Sequence, residues 1–77
     1  MKLKKIAAGQ YEGIAIIDGL TVRLEVDALE KFGFSYTYYV NNSYIYGDGY
    51  YNLRLKDIKE MMDNNISYVI DEYNKPK

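Results

Sequence analysis

The side chains that could carry chemistry in this chain are carboxylates, hydroxyls and tyrosines, because its 77 residues include neither histidine nor cysteine. Without histidine, the chain lacks the usual general base near neutral pH and the commonest neutral metal ligand. Without cysteine, it also lacks a thiolate nucleophile, a disulfide and the usual zinc ligands. The composition therefore predicts a protein that is not an enzyme and that uses no cofactor and no metal.

Carboxylates recur at helical spacing near the C-terminus. Asp57, Glu60 and Asp63 lie at positions i, i+3 and i+6, which places them on one face of a helix. Paired carboxylates can hydrolyse sugars, but a chain this short rarely builds the cleft that encloses one. Asp48 lies between two glycines, in a segment that lacks the lysine of a phosphate-binding loop. These four acids are candidates for partner contact, with a solvated helix face and a plain turn as the alternatives.

Tyrosine is the most over-represented residue type, with ten copies. We predict a strip on the sheet face away from the helix that consists of Tyr39, Tyr44 and Tyr46, with Tyr50 or Tyr51 at its margin. Tyrosine combines a large apolar ring with a polar tip and is common at binding surfaces. The alternative is cross-strand pairing that stabilises a thin sheet. Stacking on single-stranded nucleic acid is a third interpretation, but it needs a basic frame that Asp48 does not supply.

The elements that must position these residues begin with a hairpin around Asp18-Gly19. A two-residue turn of this type needs positive φ at both positions, which aspartate tolerates and glycine adopts freely. Centring the turn there pairs Ile17 with Leu20 and places one uniformly apolar face toward the core, comprising Tyr11, Gly13, Ala15, Ile17, Leu20, Val22, Leu24 and Val26. Ile14 and Ile16 then fall beside Arg23 on the opposite face. We interpret them as a docking patch, or as a patch covered by a terminal segment.

The remaining segments complete the predicted fold. Strands are expected over residues 2–8, 34–40 and 44–46, and either a helical turn or an irregular bend over 28–32. If Asn41-Asn42 is a loop, Tyr46 shares a face with Tyr39 and Tyr44, and Ile45 faces the core. Apolar spacing predicts a helix from about 53 to 64, capped by Asn52, and then a last strand over 66–70. The expected fold is a single α+β domain over residues 1–77, an antiparallel meander of four to five strands packed against one C-terminal helix.

Charge is distributed unevenly, although the net charge is −1. The first ten residues are basic, and so are the last five residues of the predicted tail from about residue 71, whereas residues 11–72 carry all eleven carboxylates. An acidic body suits a basic protein surface, or simply keeps the chain in solution. No apolar run reaches the length of a membrane span or a signal peptide, so we expect a cytoplasmic protein without membrane contact. Self-association is compatible with a core this small.

A resemblance extends over about residues 6–64. Its elements are the run Ala7-Ala8-Gly9-Gln10-Tyr11, the Asp18-Gly19 turn, a tyrosine-rich hairpin and the closing segment Leu55-Lys56-Asp57-Ile58-Lys59-Glu60-Met61-Met62. This pattern resembles small accessory proteins of phages and mobile elements, among them anti-CRISPR inhibitors. The resemblance implies a stoichiometric inhibitor that binds a defence nuclease of a bacterial host.

Two functional hypotheses follow from these observations. The first is a protein-binding inhibitor of a basic nuclease or ribonucleoprotein complex, with contacts from Tyr39, Tyr44, Tyr46, Asp48, Asp57, Glu60 and Asp63. The second is a small module that binds single-stranded nucleic acid through its tyrosines and its basic N-terminus. Retention on single-stranded DNA with a steep salt dependence would favour the second hypothesis over the first.

Overall fold

Residues 1–76, which the structure (a computed structural model) describes, form an antiparallel sheet with a helix on one side. The five strands follow one another in sheet order as β1 (Lys4–Ala7), β2 (Gln10–Ile17), β3 (Leu20–Ala28), β4 (Phe34–Val40) and β5 (Ser43–Tyr50), and the helix α1 spans Leu55–Asn74. The predicted α+β meander with a C-terminal helix is therefore confirmed. The strand predicted over residues 2–8 is the shorter β1.

The first hairpin has the register that its turn predicts. Asp18 and Gly19 have φ angles of 51° and 79°, so both occupy the left-handed region that this turn requires. Ile17 pairs with Leu20, and the register continues without a break to Gln10 and Asp27. Because alternate side chains of a strand point to opposite faces, this register settles which face of β2 and β3 meets the core.

The core lies between the sheet and α1, on what we call the helix-side face. Its buried members are Val22, Leu24, Val26, Tyr36, Tyr38, Val40, Leu53, Ile58, Met62, Ile66 and Val69. The helix packs on β4 and β5, whereas Met1 and Leu3 pack against the core from the N-terminal side. Met1 lies so close to Gly13 that a Cβ atom there would come within 2.8 Å of its Cγ and Sδ atoms.

The second hairpin contains a β-bulge that the sequence analysis did not predict. Asn41 and Asn42 form the turn with φ angles of 48° and 67°. Tyr39 pairs with Tyr44, but Tyr38 pairs with Tyr46, so β5 carries one extra residue between these pairs. The prediction that Tyr46 shares a face with Tyr39 and Tyr44 is therefore wrong.

Two other segments differ from the expected secondary structure. Strand β3 continues to Ala28 and the chain then bends through residues 30–32, so the alternative of an irregular bend holds and the helical turn does not form. Helix α1 begins at Leu55 rather than at about 53, and Arg54 rather than Asn52 precedes it as the N-cap. The helix also runs through Asn64-Asn65 to Asn74, so the predicted helix end, last strand and tail were wrong. Lys77 lies outside the described residues.

The longer helix has a simple packing reason. Ile58, Met62, Ile66 and Val69 recur at intervals of four and three residues and are all buried against the sheet. The segment 66–70 is rich in β-branched and aromatic residues, which favour a strand locally. Burial of Ile66 and Val69 on the existing sheet outweighs that preference, because a further strand would remove the second half of the helix from the helix-side face.

Candidate functional site

The sheet surface that α1 does not cover, here called the open face, is the main candidate for an interaction site. By strand register it carries Lys4 from β1, Glu12, Ile14 and Ile16 from β2, Thr21, Arg23, Glu25 and Asp27 from β3, Ser35, Thr37 and Tyr39 from β4, and Tyr44 from β5. No element among residues 1–76 packs over it, since β1 extends the sheet at its edge and α1 lies on the other side. Of the two interpretations of Ile14 and Ile16, cover by a terminal segment is therefore wrong.

A row of four side chains crosses the centre of the open face. Ile14 pairs with Arg23, Arg23 with Tyr39, and Tyr39 with Tyr44. The Cζ atom of Arg23 lies 4.3 Å from the centroid of the Tyr39 ring, which is cation–π geometry. The rings of Tyr39 and Tyr44 meet edge to face with centroids 6.3 Å apart. The row thus presents an ordered guanidinium between an aliphatic and an aromatic side chain.

The Arg23 side chain is held in place, but not all of its hydrogen-bond donors have an acceptor. Its Nη1 atom donates to Glu25 Oε2 at a long distance of 3.4 Å, whereas its Nε atom is buried and donates to no acceptor in the described residues. Stacking on Tyr39 restricts the side chain, so little further conformational entropy is lost when a partner binds it. An arginine in this state resembles the residues that dominate binding energy at protein interfaces.

Large apolar side chains within this row and beside it remain in contact with solvent. Ile16 is 74% exposed, Tyr44 is 64% exposed and Ile14 is 54% exposed. Single exposed apolar residues are common on monomeric proteins, but several on one sheet face are typical of a contact surface. Both sheet edges beside this face contain a bulge, which limits pairing with another strand. A partner can therefore reach the open face more easily than it can pair with an edge strand.

The structure divides the predicted contact residues among three places. Tyr39 and Tyr44 lie together on the open face, as predicted. Tyr46 lies on the helix-side face, where it stacks among Tyr36, Tyr38 and Tyr68 at centroid distances of 6.0, 6.5 and 5.3 Å. These four rings form a cluster between the sheet and the helix. Tyr46 therefore fits the alternative interpretation, cross-strand pairing within the sheet, rather than an exposed strip.

The four acidic residues among the predicted contact residues lie away from the open face. Asp48 pairs in register with Tyr36, so its side chain belongs to the helix-side face, and its Oδ1 atom accepts the Gly49 N–H at 2.8 Å. Asp57, Glu60 and Asp63 lie on α1, on the other side of the sheet. Glu60 pairs with Lys56 at 3.9 Å, and Asp63 is exposed. The predicted site residues therefore do not form one surface.

Asp57 has a structural role at the start of α1. Its carboxylate accepts the backbone N–H of Arg54 at 3.0 Å and pairs with the Arg54 guanidinium at 3.0 and 3.1 Å. These hydrogen bonds hold the pKa of Asp57 below its ordinary value and raise that of Arg54. A negative charge in the first turn also suits the helix dipole.

Two hydroxyls of the tyrosine cluster, those of Tyr36 and Tyr38, have a raised pKa. Burial, the hydrogen bond to Tyr46 and the nearby Asp48 charge raise the pKa of Tyr36, whose hydroxyl lies 3.4 Å from the Tyr46 hydroxyl. Burial also raises the pKa of Tyr38, and its contact with Asn65 partly offsets this. These shifts keep the hydroxyls neutral, so they cannot act as bases near neutral pH. The described residues include no cluster of three or more potential metal ligands, and none of their helices could span a membrane.

Some features of the site were not predicted. The sequence placed Ile14, Ile16 and Arg23 together, but it did not indicate that Arg23 stacks on Tyr39, because that contact depends on the pairing of β3 with β4. It also did not place Lys4 opposite Glu12 at the edge of the same face. The lysine-rich start and the hairpin register were the available signals.

Comparison with protein-family models, with curated proteins and with solved structures found no match for this chain. No functional residue can therefore be transferred from a relative. The open face and its charge distribution are the features from which a function can be inferred.

Proposed function

We propose that this chain is a non-enzymatic protein-binding module whose open face contacts a partner protein. The observation that carries the proposal is the group of exposed apolar residues around a stacked arginine, namely Ile14, Ile16, Tyr39 and Tyr44 beside Arg23. Aromatic and arginine anchors among aliphatic neighbours are the composition of interface centres.

Charge on the open face favours protein over nucleic acid as the partner. Glu12 and Glu25 lie in one row between Lys4 on β1 and Thr37 on β4. Lys4 and Tyr39 are separated by three strand spacings, or about 14 Å. These carboxylates lie beside the row that leads from Ile14 through Arg23 to Tyr39, and they would repel phosphates there, whereas a protein surface can match a mixed pattern of charges.

The mode of action that we propose is stoichiometric inhibition of a macromolecular complex of a bacterial host, such as a defence nuclease. Two features support it: the absence of histidine and cysteine, and the resemblance to small phage accessory proteins including anti-CRISPR inhibitors. The expectation that the partner is a basic nuclease or ribonucleoprotein rests on the acidic body over residues 11–72. Because the acids predicted as contact residues lie away from the open face, the contact proposed here does not require a basic partner.

Affinity capture with matched variants tests the proposal. Tagged wild-type chain should retain a protein from a bacterial lysate, and Tyr44→Ala combined with Ile16→Ala should lose it, since both side chains are exposed on the open face. Tyr51→Ala is the control, because Tyr51 is similarly exposed at 62% but lies in the turn after β5. The purified partner should then lose activity as the chain is added, with saturation near one chain per partner.

Two results would contradict the proposal. One is capture that is unaffected by the open-face variant. The other is turnover of a substrate by purified chain that one side-chain replacement abolishes without unfolding it. Tight retention on single-stranded DNA with a steep salt dependence would support the nucleic-acid hypothesis instead.

A further inference from the structure

Positive charge is concentrated around β1, in contrast to the acidic body. Lys2, Lys4, Lys5 and Lys59 are all exposed there, with Lys4 on the open face and Lys5 on the helix-side face. The carboxylate nearest to them in the strand register is Glu12, which is half-buried directly opposite Lys4. This end of the molecule therefore carries a local excess of positive charge that is exposed to solvent.

Two grooves with aliphatic floors meet at this lysine cluster. The groove on the open face has a volume of about 320 Å³ and is lined by Lys2, Lys4, Ile6, Glu12 and Ile14. The groove on the helix side has a volume of about 410 Å³ and is lined by Met1, Lys2, Leu3, Lys59 and Met62. Lys2 belongs to both, so the lysines form a rim around two adjoining apolar depressions.

We infer that the β1 end of the open face docks an acidic, aliphatic segment of a partner protein. This inference rests on the proposed function and specifies the chemistry of the partner. Aliphatic side chains of the segment would contact Ile6 and Ile14, and its carboxylates would pair with Lys2 and Lys4. The complementarity has two parts, since the floor is apolar and the rim is cationic.

Other anionic partners fit this end less well. No aromatic ring lines either groove in the described part of the chain, so nucleic-acid bases have nothing to stack on there. An anionic membrane pressed against the same face would meet Glu12, Glu25 and Asp27. A peptide segment needs no base stacking. Because it is narrow enough to contact β1 and β2 alone, it meets only Glu12 among these carboxylates, and Lys4 is the register partner of Glu12.

A peptide titration followed by NMR tests the inference. The probe is a short synthetic peptide of alternating glutamate and leucine, added to the ¹⁵N-labelled full chain. We expect amide shifts at Lys4, Ile6 and Ile14, and an affinity that weakens as the ionic strength rises from about 0.05 M to about 0.5 M. Lys2→Glu combined with Lys4→Glu should weaken binding at least about tenfold, because reversal turns two attractive contacts into repulsive ones.

Matched controls distinguish binding at the groove from a general effect of net charge. Lys31→Glu combined with Lys56→Glu changes the net charge equally but at exposed positions outside the grooves, so it should leave the affinity within about twofold. A lysine–leucine peptide of the same length should not bind. If the Lys4 variant unfolds because Lys4 lies opposite Glu12 in the sheet, Lys2→Glu alone replaces it, because Lys2 lines the same groove and precedes β1.

Several outcomes would overturn the inference. These are the absence of amide shifts, shifts confined to Tyr39 and Tyr44, equal weakening by the control variant, and tighter binding at β1 by a thymidine oligonucleotide or by anionic phospholipid vesicles. Failure here is distinguishable from failure of the proposed function. If capture of a partner depends on Tyr44 and Ile16 while the peptide does not bind, only the inference about the β1 end is wrong.

Discussion

Replacement of two tyrosines that lie two positions apart should have very different effects. Tyr44 and Tyr46 would lie on the same face of a regular strand, but the bulge between them separates the two rings onto opposite faces of the sheet. Tyr44→Ala removes an exposed ring from the open face. Tyr46→Ala removes a ring from between the sheet and α1. The comparison therefore tests the bulge itself.

The expected magnitudes follow from the contacts. Tyr46 meets three other rings at centroid distances of 5.3 to 6.5 Å, and its hydroxyl is the partner of the largely buried Tyr36 hydroxyl. Loss of these aromatic contacts and of one hydrogen bond should lower the free energy of unfolding by about 3 kcal/mol. Tyr44 is 64% exposed and makes one edge contact with Tyr39. Its truncation should cost less than about 1 kcal/mol.

Urea unfolding at neutral pH, followed by far-ultraviolet circular dichroism, measures both values. Small domains have total stabilities of about 0.1 kcal/mol per residue, so Tyr46→Ala should shift the unfolding midpoint strongly and Tyr44→Ala only slightly. Partner capture should show the reverse order once the fraction of folded protein is taken into account. Similar destabilisation by the two variants, or a larger effect of Tyr44→Ala, would refute the assignment of the faces.

Three further predictions concern the core, the helix start and the N-terminus. Because its pKa is raised in the folded state, Tyr36 keeps its proton above pH 10 while the unfolded chain releases it, so stability should fall by up to about 1.4 kcal/mol per pH unit there. Urea unfolding between pH 9 and pH 12 should show a shallower fall for Tyr36→Phe than for wild type. Because the pKa of Asp57 is lowered by Arg54, its contribution is present above about pH 4 and is lost on acidification. Asp57→Asn should therefore lower the melting temperature at pH 7 but not at pH 2, and equal loss at both values would contradict this. Gly13→Ala should displace the Met1 side chain and lower stability by about 1 kcal/mol in urea unfolding, and a stabilising effect would show that Met1 does not pack there.

The first hairpin was predictable because its local and long-range signals agree. The Asp18-Gly19 turn permits one register, and that register places the apolar residues of β2 and β3 on one face, except for Ile14 and Ile16. A shift by one residue would have turned Arg23 and Glu25 toward the core, which is costly. The alternation of apolar residues and the turn residues therefore predicted the same hairpin register, and the structure has this register.

The candidate site was only partly predictable. Tyr39 and the exposed pair Ile14 and Ile16 were placed on the correct face, since their strands are regular up to these positions. Tyr46 was not, because a bulge of one residue reverses the facing of every residue beyond it and leaves no mark in composition. The acids of α1 were grouped with Tyr39 and Tyr44, although the sheet lies between them.

By itself the sequence determined the meander, the register of its first hairpin and the absence of imidazole and thiol chemistry, because these follow from turn residues, alternation and composition. Only the tertiary structure decided where the helix ends, which tyrosines reach solvent and where the lysines of the N-terminus lie. The physical reason is that these features depend on contacts between distant segments. Ile66 and Val69 are helical because a sheet lies beneath them, and Arg23 is ordered because Tyr39 comes from the next strand.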